Sequence, residues 1–345
     1  MAKFGSFKNG NEYVITEKQP ARPLLNYIWN ARVLSGVNHL GGGIGAYGVR
    51  ALSYIDPTGK GRCSVIRDGN RYFYIKDKKS GKVFNPGWYP CKTDVTDYSC
   101  THGLGYSTIT STCDDVKATA NIYVNNEDPC EIWTVTIENK SNEEKSLSVY
   151  SFAEFQLEGY QRYSDYNSYV HGEFDDETNS IVCFNLAMER PHEWFNGFMS
   201  TDTKPVAFDT SKRAFLGVYG SVFAPEAISK DKLNNSLAAC EQMVGALQHD
   251  FVIKAGEKVS FNVIIGAVDS MDTAKSIAKK VFADGKIEKD FEELKTSKKA
   301  LSEDIFVKTP DEKINNFANY WLKQQVQLCA EVGRDTGKGF RDQLQ

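Results

Sequence analysis

The chain has 345 residues, of which 41% are hydrophobic and 25% charged, as in folded globular proteins. Its net charge of −4 argues against nucleic acid or an anionic membrane as the main partner. No run of about 18 apolar residues is present that could cross a membrane. The aromatic content of 12% suits β-sheet, and it suits stacking on sugar rings.

Residues 1–268 show the pattern of many short strands. Residues 71–77 are aromatic and lead into a hairpin-like turn, and in residues 131–138 alternate positions are apolar. After a polar turn, Leu147 begins what we interpret as the partner strand. A second alternation covers residues 259–265. These features predict a mainly β protein, a large antiparallel β-sandwich.

The period changes to that of helices at residue 269. Residues 270–281 form a predicted amphipathic helix, and a second, Lys- and Glu-rich helix covers about 287–301. Thr309 is the predicted N-cap of a third helix, with Pro310 at its first position. That helix is expected to bury a stripe of Ile314, Phe317, Trp321, Gln324, Gln325 and Leu328. The predicted domains are therefore a sandwich (1–268), a helical linker (269–308) and the start of a helical domain (309–345).

Cysteine and histidine are scattered along the chain. Eight Cys occur without a CxxC pair, and five His are equally dispersed. This spacing predicts reduced, mostly buried thiols in a cytoplasmic protein, and it predicts no metal site.

A polar segment follows the third predicted helix. Arg334 and Arg341 can each offer a planar set of donors to hydroxyls, carboxylates or phosphate, and Asp342 can accept two hydroxyl hydrogen bonds. Three glycines, Gly333, Gly337 and Gly339, let the backbone turn sharply between them. We interpret the segment as the edge of a polar binding site. The alternative is a solvated loop with an Arg–Asp pair.

A second candidate surface lies between residues 160 and 169, where four tyrosines occur among polar residues. Its candidate binding residues are Tyr160, Arg162, Tyr163, Asp165 and Tyr166. The segment is typical of a stacking and hydrogen-bonding surface, and an exposed loop or an oligomer contact remains the alternative.

The glycine run at residues 39–48 contains a GxGxxG pattern beginning at Gly43. A dinucleotide site would require a helix after it, whereas residues 49–54 have a strand pattern. A tight turn at a sheet edge is the favoured interpretation, and nucleotide binding is the alternative. The search for a general acid finds only Glu193, beside Trp194, for which a structural role is favoured.

Several segments, in colinear order over almost the whole chain, resemble glycoside hydrolase family 94, the cellobiose and chitobiose phosphorylases. They are "KFGSFKNGNEYVIT", "NHLGGGIGAYG", "RYFYIKDKKSGKVFNPGWYP", "HGLGYSTI", "EIWTVTIEN" followed by "SVYSFAEFQL", and "GRDTGKGFRDQLQ". The resemblance implies an N-terminal supersandwich, linker helices, an (α/α)-barrel and a small C-terminal β-unit. It also implies phosphorolysis of a β-linked glucoside, such as cellobiose, to α-glucose 1-phosphate with inversion.

The resemblance further assigns roles to residues. Arg334, Arg341 and Asp342 would line the donor-sugar subsite, inorganic phosphate would be a co-substrate, and no cofactor is implied. The general acid of the family lies downstream, so we expect an inactive N-terminal portion of a longer enzyme with a truncated barrel. A homodimer is implied, with the Tyr160–Tyr169 loop as the candidate contact. The alternative function is a non-catalytic carbohydrate-binding or dimerisation module.

Overall fold

The computed structural model describes residues 4–47, 63–155, 170–185 and 196–331. Its strands are β1 (Gly5–Lys8), β2 (Glu12–Ile15), β3 (Leu25–Trp29), β4 (Val33–Asn38), β5 (Gly43–Tyr47), β6 (Cys63–Asp77), β7 (Val83–Phe84), β8 (Thr96–Gly103), β9 (Tyr106–Cys113), β10 (Val116–Val124), β11 (Cys130–Asn139), β12 (Lys145–Phe155), β13 (Val170–Asp175), β14 (Ser180–Asn185), β15 (Asn196–Thr201), β16 (Ala207–Ser211), β17 (Met243–Ile253) and β18 (Lys258–Val268). Its helices are α1 (Lys212–Leu216), α2 (Glu226–Ser229), α3 (Met271–Val281), α4 (Lys286–Glu303), α5 (Glu312–Asn316) and α6 (Leu322–Glu331), with a π-helical turn at Phe317–Trp321 between the last two.

The strands form two antiparallel sheets that face one another. The ten-stranded sheet has the order β1-β2-β8-β9-β10-β11-β18-β15-β14-β13. The second sheet has the order β16-β17-β12-β6-β5-β4-β3, and β7 pairs with β6 as its eighth strand. The predicted mainly β, large antiparallel sandwich is therefore confirmed.

Alternate side chains of the long strands fill the space between the sheets. Trp133, Val135 and Ile137 of β11 are buried there, as the alternation predicted, and β18 contributes its alternate residues in the same way. Each fully buried side chain of this size contributes about 1.5–3 kcal/mol. The core between the sheets is thus the main source of stability of the sandwich.

Helices cover the outer faces of both sheets. Helix α3 begins at the N-cap Ser270, whose side chain accepts from the Thr273 N–H, and it buries Ala274, Ile277, Ala278 and Val281 against the ten-stranded sheet. The predicted helix at 270–281 is confirmed. Short helices α1 and α2 pack on the other sheet. The order of layers is helix, sheet, sheet, helix.

One predicted pairing is wrong. The strand that begins near Leu147 was expected to pair with residues 131–138, but β11 lies between β10 and β18 while β12 lies between β17 and β6 of the other sheet. The turn at 140–144 therefore crosses between sheets. The physical reason is that both strands have long buried stretches, so each is hydrogen-bonded on both sides within a different sheet and not to its neighbour in sequence. The hairpin predicted after residue 77 is confirmed by the β6–β7 pairing.

A buried ion pair joins the two sheets. Arg71 Nη1 of β6 donates to Glu131 Oε1 of β11 at 2.6 Å, and both side chains are 0% exposed. The same guanidinium donates to the Gly36 carbonyl at 2.9 Å, and Trp133 Nε1 donates to the second carboxylate oxygen at 3.0 Å. With both charges paired and hydrogen-bonded, the cost of burying them is largely offset.

Two general expectations concern cysteines and membranes. Among the cysteines whose side chains the structure describes, Cys100, Cys113, Cys130 and Cys183 are buried thiols. Within the described ranges, no helix combines the length and apolarity that crossing a membrane would require.

Candidate functional site

The residues predicted to bind sugar lie outside the described part of the chain. This applies to Arg334, Arg341 and Asp342, and to the Tyr160–Tyr169 segment with Arg162, Tyr163, Asp165 and Tyr166. Glu193 lies outside it as well. The structure does describe what leads to them. Helix α6 ends at Glu331, three residues before Arg334, so its placement on the sandwich decides where that segment begins.

Helix α5 begins two residues later than predicted. The N-cap is Asp311, whose carboxylate accepts from the Lys313 N–H at 2.8 Å, so Thr309 and Pro310 lie outside the helix. The predicted cap was wrong because the Thr309 hydroxyl has other partners. It donates to Asn315 Oδ1 at 2.9 Å and accepts from the Asp311 N–H at 3.2 Å.

The predicted buried stripe is interrupted by the π-helical turn. Ile314 and Phe317 are 51% and 55% exposed, and Gln325 is exposed, whereas Leu328 is buried. A π turn holds more residues than an α turn, so the helix faces before and after it no longer align. As a result Trp321 and Gln324 contact the sandwich and Leu328 is buried, while Ile314 and Phe317 stay exposed, which corrects the predicted stripe.

Two asparagines one turn apart attach the helix to the extended segment before it. Asn319 is 1% exposed; its Oδ1 accepts from the Val307 N–H at 2.7 Å, and its Nδ2 donates to the Val307 carbonyl at 2.8 Å. Asn315 repeats the pattern with the N–H and carbonyl of Thr309, at 2.7 and 2.9 Å. Side-chain amides thus replace a second strand for residues 307–309. The sequence analysis missed this clamp, although asparagine at i and i+4 inside a helix, where it is disfavoured, was a readable signal.

The other side of the helix contacts the β1–β2 hairpin. Trp321 Nε1 donates to the Gly10 carbonyl at 3.0 Å, and the Trp321 ring lies 6.3 Å from the Phe7 ring. Gly10 has a φ of +77°, and a Cβ there would lie 2.6 Å from the Tyr320 ring. Only glycine allows the hairpin to approach the helix this closely.

A chain of polar contacts continues from the helix into the sandwich. Gln324 Nε2 lies 3.5 Å from Asn26 Oδ1 and 3.4 Å from the Tyr27 carbonyl. The Asn26 amide in turn donates to the carbonyls of Gly103 and Tyr106, and to the Ser107 hydroxyl at 3.2 Å. Asn26 therefore connects β3, the β8–β9 turn and the helix.

The last side chain in this series of polar contacts is the buried His102. Nδ1 of His102 lies 2.9 Å from Ser107 Oγ, and its Nε2 lies 3.3 Å from the Leu24 carbonyl. Because a carbonyl can only accept, the proton is on Nε2 and Nδ1 accepts from the serine. Burial lowers the pKa of His102 to about 4, so the ring is neutral at pH 7.

A groove with a volume of about 480 Å³ separates the end of α4 from α6. Its walls include Leu104, Ile305, Leu322 and Val326. The lysines at its rim are already engaged. The Lys323 ammonium donates to the carbonyls of Ser302 and Ile305, and the Lys298 ammonium lies 4.4 Å from the centre of the Trp29 ring. With both lysines engaged and aliphatic side chains on its walls, the groove suits apolar side chains rather than a sugar.

The described residues offer no free carboxyl group in a buried setting. The buried carboxylates there are Asp77, Glu131, Glu154, Asp209 and Asp290. Four of them form ion pairs, which are Asp77–Lys145, Glu131–Arg71, Glu154–Lys212 and Asp290–Lys286. The fifth, Asp209, accepts from the N–H groups of Asn234 and Ser236. These contacts are structural. In the same ranges, no three His, Cys, Asp or Glu side chains are grouped to hold a metal ion.

The glycine run forms the turn after β4 and the strand β5 that follows it. A tight turn after Asn38 joins β4 to β5, as predicted, although both strands lie inside the sheet and not at its edge. The GxGxxG pattern lies on β5 as far as Tyr47, and residues 49–54 lie outside the described ranges. At Gly43, with a φ of +144°, a Cβ would lie 1.8 Å from the Gly36 carbonyl oxygen. The glycine therefore serves close strand contact, and nothing in the described part of the run favours a phosphate site.

Comparison with known proteins adds the context of the whole chain. The family model "Glycosyl hydrolase 94, supersandwich domain" matches residues 11–283. Solabiose phosphorylase from Paenibacillus borealis is 55% identical over 100% of the chain and 45% of its own length. N,N'-diacetylchitobiose phosphorylase from Vibrio furnissii is 27% identical over 99% and 44%. A solved structure from the human microbiome, assigned as a kojibiose phosphorylase, shares the fold with a TM-score of 0.56 at 9% identity, covering 94% of the chain and 42% of that protein. The chain spans about half the length of the curated relatives it matches.

Proposed function

The chain belongs to glycoside hydrolase family 94, and from that membership we propose that the complete polypeptide carrying it is an inverting phosphorylase of β-linked disaccharides. The observation that carries the proposal is the 55% identity to a solabiose phosphorylase over the full length of the chain. The more distant relative, at 27%, is also named a phosphorylase. The sandwich would then be the N-terminal domain of the enzyme.

The substrate proposal begins with solabiose. This is the sugar named for the 55% identical relative, and cellobiose, the substrate implied by the resemblance of the terminal segment, comes second. With inorganic phosphate the products would be an α-sugar 1-phosphate and a free sugar, and with cellobiose the phosphate ester would be α-glucose 1-phosphate. Inorganic phosphate is proposed as a co-substrate, and no cofactor is proposed.

The chemistry follows the inverting scheme with phosphate in place of water. A carboxylic acid protonates the leaving oxygen while phosphate attacks from the opposite face. Because phosphate is already anionic, it needs positioning by donors rather than a second carboxylate as base. In this proposal Arg334 and Arg341 donate to the donor sugar and Asp342 accepts from its hydroxyls. The general acid would lie in a part of the complete polypeptide that is not among these 345 residues.

The remaining parts of the proposal concern organisation. Residues 269–308 would act as the linker, and 309–345 would begin an (α/α)-barrel. A homodimer is proposed in which the Tyr160–Tyr169 loop contacts the partner. The four buried thiols among the described cysteine side chains support a cytoplasmic location.

The test is phosphorolysis by the complete polypeptide. Purified protein is incubated with solabiose, cellobiose and N,N'-diacetylchitobiose, each with and without inorganic phosphate, and the sugar 1-phosphate formed is measured. We expect release only with phosphate, and fastest with solabiose. Asp342→Asn and Arg341→Lys should each lower kcat/KM at least tenfold, since each loses a directed hydrogen bond to the sugar, about 1.4 kcal/mol or more.

The matched control is Arg213→Lys. Arg213 is an exposed arginine, and its kinetics should equal those of the wild type. Sugar binding without release of any sugar 1-phosphate would instead support a non-catalytic module. Release of free sugars in the absence of phosphate would identify a hydrolase and reject the proposal.

A further inference from the structure

We propose that Trp321 is a positioning residue for the donor-sugar segment, acting through the β1–β2 hairpin. The inference rests on the proposed function. Trp321 touches no substrate in this proposal. It fixes the direction in which α6 leaves the sandwich, and thereby the place where the segment containing Arg334, Arg341 and Asp342 begins.

The first argument is the position of the contact. Trp321 closes the π-helical turn, and its indole N–H donates to the Gly10 carbonyl at 3.0 Å, although the two residues are 311 positions apart in the chain. Only α6, ten residues long, separates Trp321 from the predicted sugar segment. A change in the angle of the helix at this contact is carried to its far end, because an α-helix of this length is about 15 Å long and stiff.

The second argument is that the contact is fitted on both sides. Gly10 has a φ of +77°, and a Cβ on it would lie 2.6 Å from Tyr320 Cε2 and 2.8 Å from Asn316 Oδ1. Position 10 therefore has no room for a side chain unless Tyr320 and Asn316 move. The Phe7 ring, 5.0 Å from that of Tyr13, supports the indole from the strand behind the tip.

The third argument is that directional bonds hold the π turn on two opposite faces of the helix. Asn319 binds the backbone of Val307 on one side, and Trp321 binds Gly10 on the other. Hydrogen bonds specify direction more narrowly than apolar contacts do. Residues i and i+2 of a helix lie about 200° apart around its axis, so Asn319 and Trp321 reach opposite sides of the same turn.

The test uses two independent variants of the complete polypeptide. Trp321→Phe keeps a ring and removes the donor, and Gly10→Ala pushes the hairpin from the helix. Synthesis from the α-sugar 1-phosphate and an acceptor sugar is measured for each. We expect the KM for the sugar 1-phosphate to rise at least fivefold in both variants, while the KM for the acceptor sugar stays within twofold of the wild type.

Matched controls separate positioning from stability. Gly81→Ala places alanine in another turn at a φ of +73°, with no atom within 4 Å of the new Cβ, so it carries the backbone strain without the clash. Trp133→Phe removes an indole N–H that donates to Glu131 inside the sandwich. Both controls should lower the melting temperature without changing either KM.

The outcomes distinguish the two proposals. If the wild type forms or cleaves no disaccharide with phosphate, the proposed function is rejected and the positioning role falls with it. If the wild type is active while Trp321→Phe and Gly10→Ala leave the KM for the sugar 1-phosphate unchanged, only the positioning role is rejected. An equal rise of that KM in Gly81→Ala or Trp133→Phe would also reject it, since the effect would then follow from general loss of stability.

Discussion

The interior of the sandwich and the helical edge at its C-terminal side are held together by different chemistry. Between the sheets, apolar side chains of β11 and β18 are buried together with the fully buried ion pair Arg71–Glu131. At the edge, amides and an indole bind backbone groups, and Ile314 and Phe317 remain half exposed. Apolar burial is large in energy and indifferent to direction, whereas a hydrogen bond contributes only about 1 kcal/mol but fixes geometry. Stability therefore resides in the interior and orientation in the edge.

The largest predicted effect tests the interior. Arg71→Met leaves the Glu131 carboxylate buried without its cation, which typically costs about 3–5 kcal/mol. We expect the free energy of unfolding, measured by urea denaturation, to fall by that amount. The helical edge should unfold together with the sandwich, because the described part of the edge forms no hydrophobic core of its own.

A double variant sharpens the same prediction. In Arg71→Met with Glu131→Gln the buried charge is gone, and the glutamine carbonyl can still accept from Trp133 Nε1. At least half of the lost stability should return. If the double variant is as unstable as Arg71→Met alone, the cost arises from packing, and the ion pair does not hold the sheets as described.

Acid should weaken the sandwich through two buried histidines, His249 on β17 and His102 on β8. Burial lowers the pKa of His249 to about 4, as it does for His102, from an ordinary value of 6.5. The unfolded chain therefore binds more protons below pH 6.5, so the stability is complete above about pH 6.5 and is lost as the pH falls to about 4. The loss amounts to roughly 3 kcal/mol for each ring at pH 4.

The measurement is urea denaturation between pH 7.5 and 4. His249→Gln, in the interior, should reduce the loss of unfolding free energy between pH 7.5 and 4 by the contribution of one ring, roughly 3 kcal/mol. His171→Gln is the control, because His171 lies partly exposed on β13. An unchanged slope in His249→Gln would show that this ring is not buried as a neutral group. His102→Gln, on β8, should act in the same direction.

Much of the interior could be predicted from the sequence, because period and burial coincide there. The alternation of Trp133, Val135 and Ile137 specifies which face of β11 is buried, and the Ser270 cap with its apolar spacing specifies α3. The pairing of β11 with β12 was predicted wrongly, since a polar turn of the same composition can close a hairpin or cross between sheets. Strand alternation carries no information on which sheet a strand joins.

The edge was less predictable because backbone groups define it. Nothing in the residue type of Val307 or Gly10 shows that its backbone will bind Asn319 or Trp321. The π turn, which separates Phe317 from the buried face, carries both of these bonds, through Asn319 and Trp321. The predicted sugar residues, Arg334, Arg341 and Asp342, lie outside the described ranges and stay predictions.

A smaller effect is expected when the clamp at the edge is cut. Asn319→Leu fills similar space but leaves the Val307 N–H and carbonyl without partners, a cost of about 1–3 kcal/mol. Because the edge opens locally, hydrogen exchange should accelerate at residues 305–309 and along α5, while β9 to β11 stay protected. Asn142→Ala, in an exposed turn, is the control and should change neither region. Faster exchange throughout the sandwich would mean that the two regions unfold together.

The smallest effect is expected from the exposed phenylalanine. Phe317 is 55% exposed in this chain, so Phe317→Ser should change the free energy of unfolding by no more than about 0.5 kcal/mol. The same substitution at Phe261, buried between the sheets 6.3 Å from the Phe73 ring, should cost about 3–5 kcal/mol. Urea denaturation of both variants of the 345-residue chain measures the difference. A comparable loss at Phe317 would show that the edge also depends on apolar burial, and orientation by hydrogen bonds alone would no longer describe it.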